Sequence, residues 1–173
     1  MNIVGPDALI FGVDDVEACK QFLLDYGLDD AGNGRFEALD GTAVIIAGRD
    51  DPSLPPALET GSMLRKTVYG VADQEALDAI AEELNKDREV SKLDDDSLEA
   101  VDDLGFVLGF QVTVRKELSL SALKTNFPGS SDQRPINDVA VNTEAQPKPV
   151  SLSHVVYFVP DFAKGEAFYT ERL

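Results

Sequence analysis

The stretch ALIFGVDDVEACKQFLLDYGL, residues 8–28, recurs twice more along the chain and decides its architecture. Moving it from position 8 to 66 overlays it on KTVYGVADQEALDAIAEEL, which begins at Lys66. Moving it from position 8 to 154 overlays it on HVVYFVPDFAKGEAFYTERL, which begins at His154. Each copy is a short apolar run, a turn and an amphipathic helix. Repetition of this kind indicates that one structural unit has been duplicated.

The first copy continues into a complete predicted unit. Ala8–Val13 predicts a buried strand, and Asp14 predicts the N-cap of a helix that ends at Gly27. The apolar positions of this helix are Val16, Cys19, Phe22, Leu23 and Tyr26. After a turn over residues 31–34, an Asp-Gly hairpin joins two further strands, which are Arg35–Leu39 and Thr42–Ala47. A loop with three prolines, residues 50–61, follows.

The second copy repeats this order. Leu64–Val71 predicts a strand, and Asp73 predicts the N-cap of the next helix. The helix carries an apolar stripe made of Ala76, Leu77, Ile80, Ala81 and Leu84. Three more strands are predicted at Val90–Leu93, Leu98–Val101 and Phe106–Val114. Residues 1–114 therefore predict a domain of two strand–helix–strand–strand–strand units.

The third copy stops after its strand and helix. Residues 115–150 are rich in proline, glycine and polar residues and predict a connector, with a short strand at Val139–Val141. Residues 151–173 then predict a strand, Leu152–Val159, and a helix capped by Asp161. A strand and helix alone leave a sheet edge unpaired. Either the protein continues beyond this point, or the tail pairs with another chain. We expect the first, with residues 151–173 as the opening of a second domain in a longer protein.

The composition excludes several classes of function. The chain has 32 acidic and 15 basic residues, and its net charge of −17 argues against binding nucleic acid or an anionic membrane. No apolar run reaches the length of about 20 residues that crosses a bilayer, and the N-terminus lacks the pattern of a secretion signal. Cys19 is the one cysteine, so an internal disulfide cannot form. These features predict a cytoplasmic protein.

His154 is the one histidine and the candidate metal ligand. Alternation along the predicted strand places His154 on one face with Val156 and Phe158, and Tyr157 on the other. An apolar neighbourhood also suits a histidine that only packs. A facial iron site needs two histidines and a carboxylate. This chain therefore cannot complete such a site by itself.

The chain resembles the vicinal oxygen chelate superfamily in four features. They are the order of the units, the Asp-Gly hairpin, the AVDDLG turn at residues 100–105 and the motif LSHVVYFVPDFAKGEAFY at residues 152–169. This group contains glyoxalase I, bleomycin-resistance proteins and extradiol ring-cleaving dioxygenases. The resemblance implies an α+β fold in which paired βαβββ units form an open, cup-shaped mixed sheet with the helices outside. It also implies that metal and substrate lie inside the cup.

The two-domain extradiol dioxygenases are the most similar members. In them the N-terminal domain is metal-free, and the C-terminal domain holds Fe(II) on two histidines and a glutamate. The resemblance places His154 at the first histidine ligand. The matching positions in the first domain are Ala8 and Lys66, neither of which is a plausible ligand, and Gly109 lies near the family's carboxylate position. No metal is therefore expected in residues 1–114, and the other ligands are expected beyond Leu173.

The resemblance implies a dioxygenase of aromatic catabolism that cleaves the ring of a catechol-like substrate, using Fe(II) or another divalent metal. The 173-residue chain alone is expected to be inactive, and the sequence assigns no catalytic residue. Two alternatives stay open: a metal-free, resistance-type protein that binds a small molecule, and a glyoxalase-type lyase or isomerase. The expected partner is a small aromatic substrate. Exposed strand edges are compatible with a homo-oligomer but set no symmetry.

Overall fold

The computed structural model describes residues 1–120, 129 and 142–173. Two βαβββ units occupy its first 112 residues. The first unit consists of β1 (Ile3–Val13), α1 (Val16–Tyr26), β2 (Asp29–Gly32), β3 (Arg35–Glu37) and β4 (Ala43–Gly48). The second consists of β5 (Met63–Val71), α2 (Gln74–Leu84), β6 (Ser91–Lys92), β7 (Leu98–Val101) and β8 (Val107–Val112). The predicted α+β class with paired βαβββ units is confirmed.

All eight strands form one open mixed sheet in the order β2-β3-β4-β1-β5-β8-β7-β6. Within each unit the first and last strands pair in parallel, β1 with β4 and β5 with β8. The two units join through the antiparallel pair of β1 and β5, in which Ala8 lies opposite Val68 and Ile10 lies opposite Lys66. The two copies of the repeat are therefore neighbours at the centre of the sheet.

Each helix covers the hydrophobic core of its own unit. Helix α2 buries the predicted stripe, with Ile80 and Leu84 fully buried against Phe110 of β8. Helix α1 buries Leu23 beside Phe36 of β3. Two apolar residues of α1 differ from the prediction, because Phe22 and Tyr26 are 65% and 59% exposed. Cys19 packs against the core of the first unit, as predicted.

The helix ends follow the predicted chemistry with one correction. Asp73 accepts a hydrogen bond from the Ala76 amide at 2.8 Å and caps α2. The cap of α1 is Asp15, whose Oδ1 accepts from the Ala18 amide at 2.9 Å, so the assignment to Asp14 is wrong. Asp14 lies one residue too early to reach that amide and instead pairs with Arg49 at 2.6 Å. Gly27 ends α1 at φ 101°, a left-handed conformation that favours glycine.

The C-terminal residues form helix α3 (Phe162–Ala167) and a π-helical turn, Phe168–Arg172. Asp161 caps α3 by accepting from the Lys164 amide at 3.1 Å, as predicted. The predicted strand Leu152–Val159 is not formed as a paired strand, because this segment is held by side-chain contacts and makes no ladder with any described strand. The expected strand at Val139–Val141 lies outside the described residues. Within the described ranges, no helix combines the length and the apolar character needed to cross a membrane.

Candidate functional site

The cup is the first candidate site, and an ion pair lies inside it. Lys66 of β5 donates to Glu99 of β7 at 2.7 Å, and the lysine side chain is only 11% exposed. A cleft of about 430 Å³ opens beside this pair. Its walls come from β1, β4, the turn between β2 and β3 and the loop after β4, and they include Ile10, Asn33, Ile45, Ala47, Asp51, Ser53 and Pro55. The cleft therefore combines apolar and polar side chains with one largely buried cation, Lys66, and two carboxylates, Glu99 and Asp51.

The loop that borders this cleft is held by a buried arginine. Arg65, 9% exposed, donates to the carbonyl oxygens of Pro55, Arg49 and Gly61. Its Nε donates to the Pro55 carbonyl at 2.8 Å. One side chain thus fixes both ends of the proline-containing loop. The cleft is preformed rather than dependent on a ligand to order its wall.

The positions within residues 1–114 that the resemblance links to metal binding carry no ligand group. Ala8 is buried between Ala43 and Val68. The side chain of Lys66 crosses Gly109 so closely that a β-carbon on the glycine would stand 2.7 Å from Lys66 Cε. The lysine methylenes therefore fill the space in which a longer side chain at position 109 would lie.

His154 lies outside this cup. Its side chain is exposed, and its Nδ1 is 3.2 Å from the Ser153 hydroxyl. Val156 and Phe158 are also exposed, at 71% and 97%, whereas Tyr157 between them is half-buried. The alternation agrees with the prediction that Tyr157 faces away from His154.

Comparison with known proteins reveals relatives by structure. No protein-family model and no curated protein matches the sequence. The structure of the 2,3-dioxygenase LapB from Pseudomonas sp. KL28 matches 100% of this chain and 59% of that one, with a TM-score of 0.64 and 17% identity. The chain has the vicinal oxygen chelate fold.

Two further structures with this fold match about two thirds of the chain. A catechol 2,3-dioxygenase matches 65% of this chain and 42% of its own, with a TM-score of 0.50 and 16% identity. An extradiol ring-cleaving dioxygenase from B. fuscum matches 67% of this chain and 34% of its own, with the same TM-score and identity. The chain thus spans between about a third and three fifths of the length of these proteins.

The residues that the structure describes do not form a site for a catalytic metal ion. Among residues 1–120, 129 and 142–173, no three histidine, cysteine, aspartate or glutamate side chains come together in a way that could hold an ion. His154 is a single exposed imidazole, and a facial iron site needs two further protein ligands. No chemical step through a metal can therefore be built from the described side chains.

A charged network that the sequence analysis did not predict attaches the segment bearing His154 to the eight-stranded sheet. Arg115 donates to the Ser151 hydroxyl at 2.7 Å and to the Leu152 carbonyl at 2.8 Å. It also contacts Asp40 at 3.2 Å and the fully buried Asp7 at 3.6 Å. The Asp-Gly hairpin was visible in the sequence, but its charged partner 75 positions away was not.

Asp7 and Asp40 are held as buried acceptors by different donors. Asp7 accepts from the Gln111 amide group at 3.0 Å and the Thr113 hydroxyl at 2.9 Å. Burial alone would raise the pKa of Asp40, but hydrogen bonds from Thr42 and Ser151, together with the Arg115 charge, hold it below its usual value. Both carboxylates are therefore satisfied, and the network acts as a structural clamp.

Three tyrosines form a second cluster between the sheet and the C-terminal segment. Tyr157 hydrogen-bonds Thr67 and lies 3.4 Å from the Tyr69 hydroxyl. Tyr169 donates to Asp102 at 2.8 Å. Burial is the main cause that raises the pKa of each tyrosine above its ordinary value. The cluster is neutral at physiological pH and packs the C-terminal segment against the sheet.

Proposed function

We propose that the chain is part of an extradiol-type, ring-cleaving dioxygenase-like protein that acts on a catechol-like aromatic. The single observation that carries the proposal is the structural match of the whole chain to a 2,3-dioxygenase, LapB, of which it covers 59%. In this proposal residues 1–114 are the metal-free domain. Residues 115–150 are a connector, and residues 151–173 begin the domain that holds Fe(II) or another divalent metal.

The first domain has a supporting role in this proposal. Lys66 fills the space above Gly109, and the side chain of Ala8 offers no donor atom. In this proposal the cup formed by residues 1–114 therefore holds no metal. Arg115, the first residue of the connector, is held by Asp7 and Asp40 of this domain and fixes Ser151 and Leu152 two to three residues before His154. The function of the first domain is therefore to fix the start of the catalytic domain.

His154 is the residue to which this proposal gives a direct role. Its imidazole is exposed, and its neighbours Val156 and Phe158 present an uncovered apolar face. Imidazole is the commonest metal ligand in proteins. The proposal assigns His154 as one ligand of a site whose other ligands are not among the described residues.

Iron content and ring cleavage in the complete natural protein test the assignment. His154→Ala should lower the iron content and the ring cleavage of catechol together, while the circular dichroism spectrum stays unchanged. The Lys164→Ala variant, which removes an exposed side chain from the same C-terminal segment, is the control and should keep both. Unchanged iron in the His154→Ala protein would show that the histidine only packs.

A second candidate function is that of a metal-free protein that binds a small molecule. The cleft beside Lys66 and Glu99 favours it, because it places the apolar side chains of Ile10 and Ile45 beside one largely buried cation. Calorimetric titration of the metal-free 173-residue chain distinguishes the two. Two results together would support the binding protein over the dioxygenase. The chain would bind an aromatic carboxylate tightly unless Lys66 is replaced by Met, and the complete protein would contain no iron.

A further inference from the structure

The centre of the sheet shows how one copy of the repeat pairs with another. The strand order β2-β3-β4-β1-β5-β8-β7-β6 is one unit followed by the same unit reversed, because the two units meet through their first strands. In the antiparallel pair of β1 and β5, Leu9 lies opposite Thr67, and Ala8 lies opposite Val68. Leu9 and Thr67 are also the second residues of their copies of the repeat. A residue and its own counterpart therefore face each other across a local two-fold axis.

The third copy of the repeat places Val155 at this axial position. His154 is the first residue of the third copy, so Val155 is the counterpart of Leu9 and Thr67. Two third copies that pair in the same register would place Val155 opposite Val155. His154 of one copy would then lie opposite Val156 of the other. The repeat thus defines a specific antiparallel register for two copies of this chain.

Residues 152–159 already have one covered face and one open face. Burial alternates along the segment, which is the pattern of a strand that is covered on one side. The half-buried residues are Val155, Tyr157 and Val159, and the exposed residues are His154, Val156 and Phe158. Val156 and Phe158 are 71% and 97% exposed. The segment therefore has the form of a strand and presents uncovered apolar side chains.

The backbone of this segment also offers an edge. The Leu152 amide donates to the Thr42 hydroxyl at 2.7 Å, and the Leu152 carbonyl accepts from Arg115 at 2.8 Å, so both groups point toward the domain. In a strand, the backbone groups of neighbouring residues point to opposite edges. The groups that point away from the domain are those of Ser153, Val155 and Tyr157. Within residues 1–120, 129 and 142–173, no backbone group of residues 153–159 has a backbone partner.

The side chains of this edge favour pairing. Exposed strand edges usually carry lysine or another charged residue that prevents association. The chain has 32 acidic and 15 basic residues, but residues 149–160 contain none of them. In the register defined by the repeat, the exposed Phe158 lies opposite Leu152 of the second copy. Each copy would therefore cover apolar surface of the other.

We propose that the 173-residue chain forms a two-fold symmetric dimer in which residues 152–158 of two copies pair as antiparallel strands, with Val155 on the axis. The partner is a second copy of this chain, because the repeat already pairs with its own counterpart at the centre of the sheet. A self-complementary contact of this kind closes after two copies. The inference does not rest on the proposed function, since no metal and no substrate take part in it.

Sedimentation equilibrium of the 173-residue protein at concentrations up to about 1 mM tests the proposal. The net charge of −17 repels a second copy, so the buffer contains about 0.15 M salt, which screens charges beyond about 8 Å. We expect a dimer. Val155→Pro removes an amide donor at the axis from both copies and should raise the dissociation constant at least about tenfold. Val101→Ser removes an exposed apolar side chain from β7 and should leave the dissociation constant unchanged.

Cross-linking determines the register. In a Cys19→Ala background, Val155→Cys should link two chains through a short bismaleimide. Val159→Cys is the matched control, because Val159 is also half-buried, and in the proposed register its two copies lie about 27 Å apart. Circular dichroism verifies that each variant is folded. A protein that stays monomeric throughout the concentration range would overturn the proposal. A dimer that survives Val155→Pro, or one that links through Val159→Cys and not through Val155→Cys, would overturn it equally.

Discussion

The side chain of Lys66 occupies the space directly above Gly109. A β-carbon at position 109 would lie 2.7 Å from Lys66 Cε and 3.1 Å from Val68 Cγ2. The lysine continues past the glycine to reach Glu99 at 2.7 Å. Gly109 on β8 therefore leaves the space in the middle of the cup that the long side chain of Lys66 on β5 fills.

This arrangement predicts that Gly109→Ala destabilises the protein through Lys66. The added methyl group displaces the lysine from Glu99, and such overpacking costs about 1–2 kcal/mol. In a Lys66→Ala background the same substitution should cost about 1 kcal/mol less, because the clash is gone. Urea unfolding of the four proteins measures this coupling.

Gly48→Ala is the control for the cycle, because a β-carbon at Gly48 meets nothing within 4 Å. Its effect on the free energy of unfolding should stay within about 0.5 kcal/mol. Equal costs of Gly109→Ala in the presence and absence of the lysine would contradict the argument.

Arg115 predicts a second stability effect. Arg115→Met leaves the buried Asp7 and Asp40 without their cation, which should lower the free energy of unfolding by about 3 kcal/mol. Arg115→Lys should recover only part of this loss, since an ammonium group cannot reproduce the fork of contacts to Ser151 and the Leu152 carbonyl. Urea unfolding gives the energies, and hydrogen exchange of residues 151–159 reports the release of the segment.

An exposed arginine supplies the comparison. Arg49 pairs with Asp14 at 2.6 Å, but both side chains are about half exposed, at 47% and 62%. Arg49→Met should cost no more than about 1 kcal/mol, because solvent screens such pairs. If the two arginine variants lost equal stability, the clamp would be no more than a surface contact.

Phe168 predicts how the C-terminal helix is attached. It is 1% exposed within the core cluster of the second unit, and the Arg88 guanidinium lies 4.9 Å from its ring. Phe168→Ala should cost about 3–5 kcal/mol and release the C-terminal turn, seen as faster hydrogen exchange there. Phe162→Ala in the same segment removes a ring that is 72% exposed, and its cost should stay within about 0.5 kcal/mol. Slow exchange in the Phe168→Ala protein would contradict this attachment.

The repeat was sufficient to predict the fold, because each of its first two copies begins with a central strand followed by its helix. The overlay also contained the answer to the one misplaced cap. Asp15 aligns with Asp73 and Asp161, and all three are the observed caps, whereas Asp14 has no counterpart in the overlay. Local capping rules alone do not distinguish two adjacent aspartates.

The remaining differences depend on contacts between distant parts of the chain. The segment 152–159 has the composition of a strand but no described partner, and a strand exists only as part of a ladder. The periodicity of α1 placed Phe22 beside Leu23, but only the packed structure shows that the core ends between them. Arg115 and Asp7 are 108 positions apart, and nothing in either local sequence indicates the pair.

The three partly buried tyrosines predict a loss of stability at alkaline pH. Burial, the largest cause, raises the pKa of Tyr69, Tyr157 and Tyr169 in the folded state above the ordinary value of 10.0. The unfolded chain releases these protons near pH 10, whereas the folded chain keeps them. Their contribution to stability is therefore complete below about pH 9 and falls as the pH rises through 10.

Tyr169→Phe isolates one of these groups. It removes the hydrogen bond to Asp102, so the free energy of unfolding at pH 7 should fall by about 1–2 kcal/mol. Because one titrating group is gone, the decline in stability above pH 10 should be shallower by up to about 1.4 kcal/mol per pH unit. Urea unfolding between about pH 8 and 11 measures both, with tyrosinate absorbance as an independent record of ionisation. An unchanged slope in the variant would mean that the Tyr169 hydroxyl reaches solvent in the folded protein, and its hydrogen bond to Asp102 would then have to be abandoned.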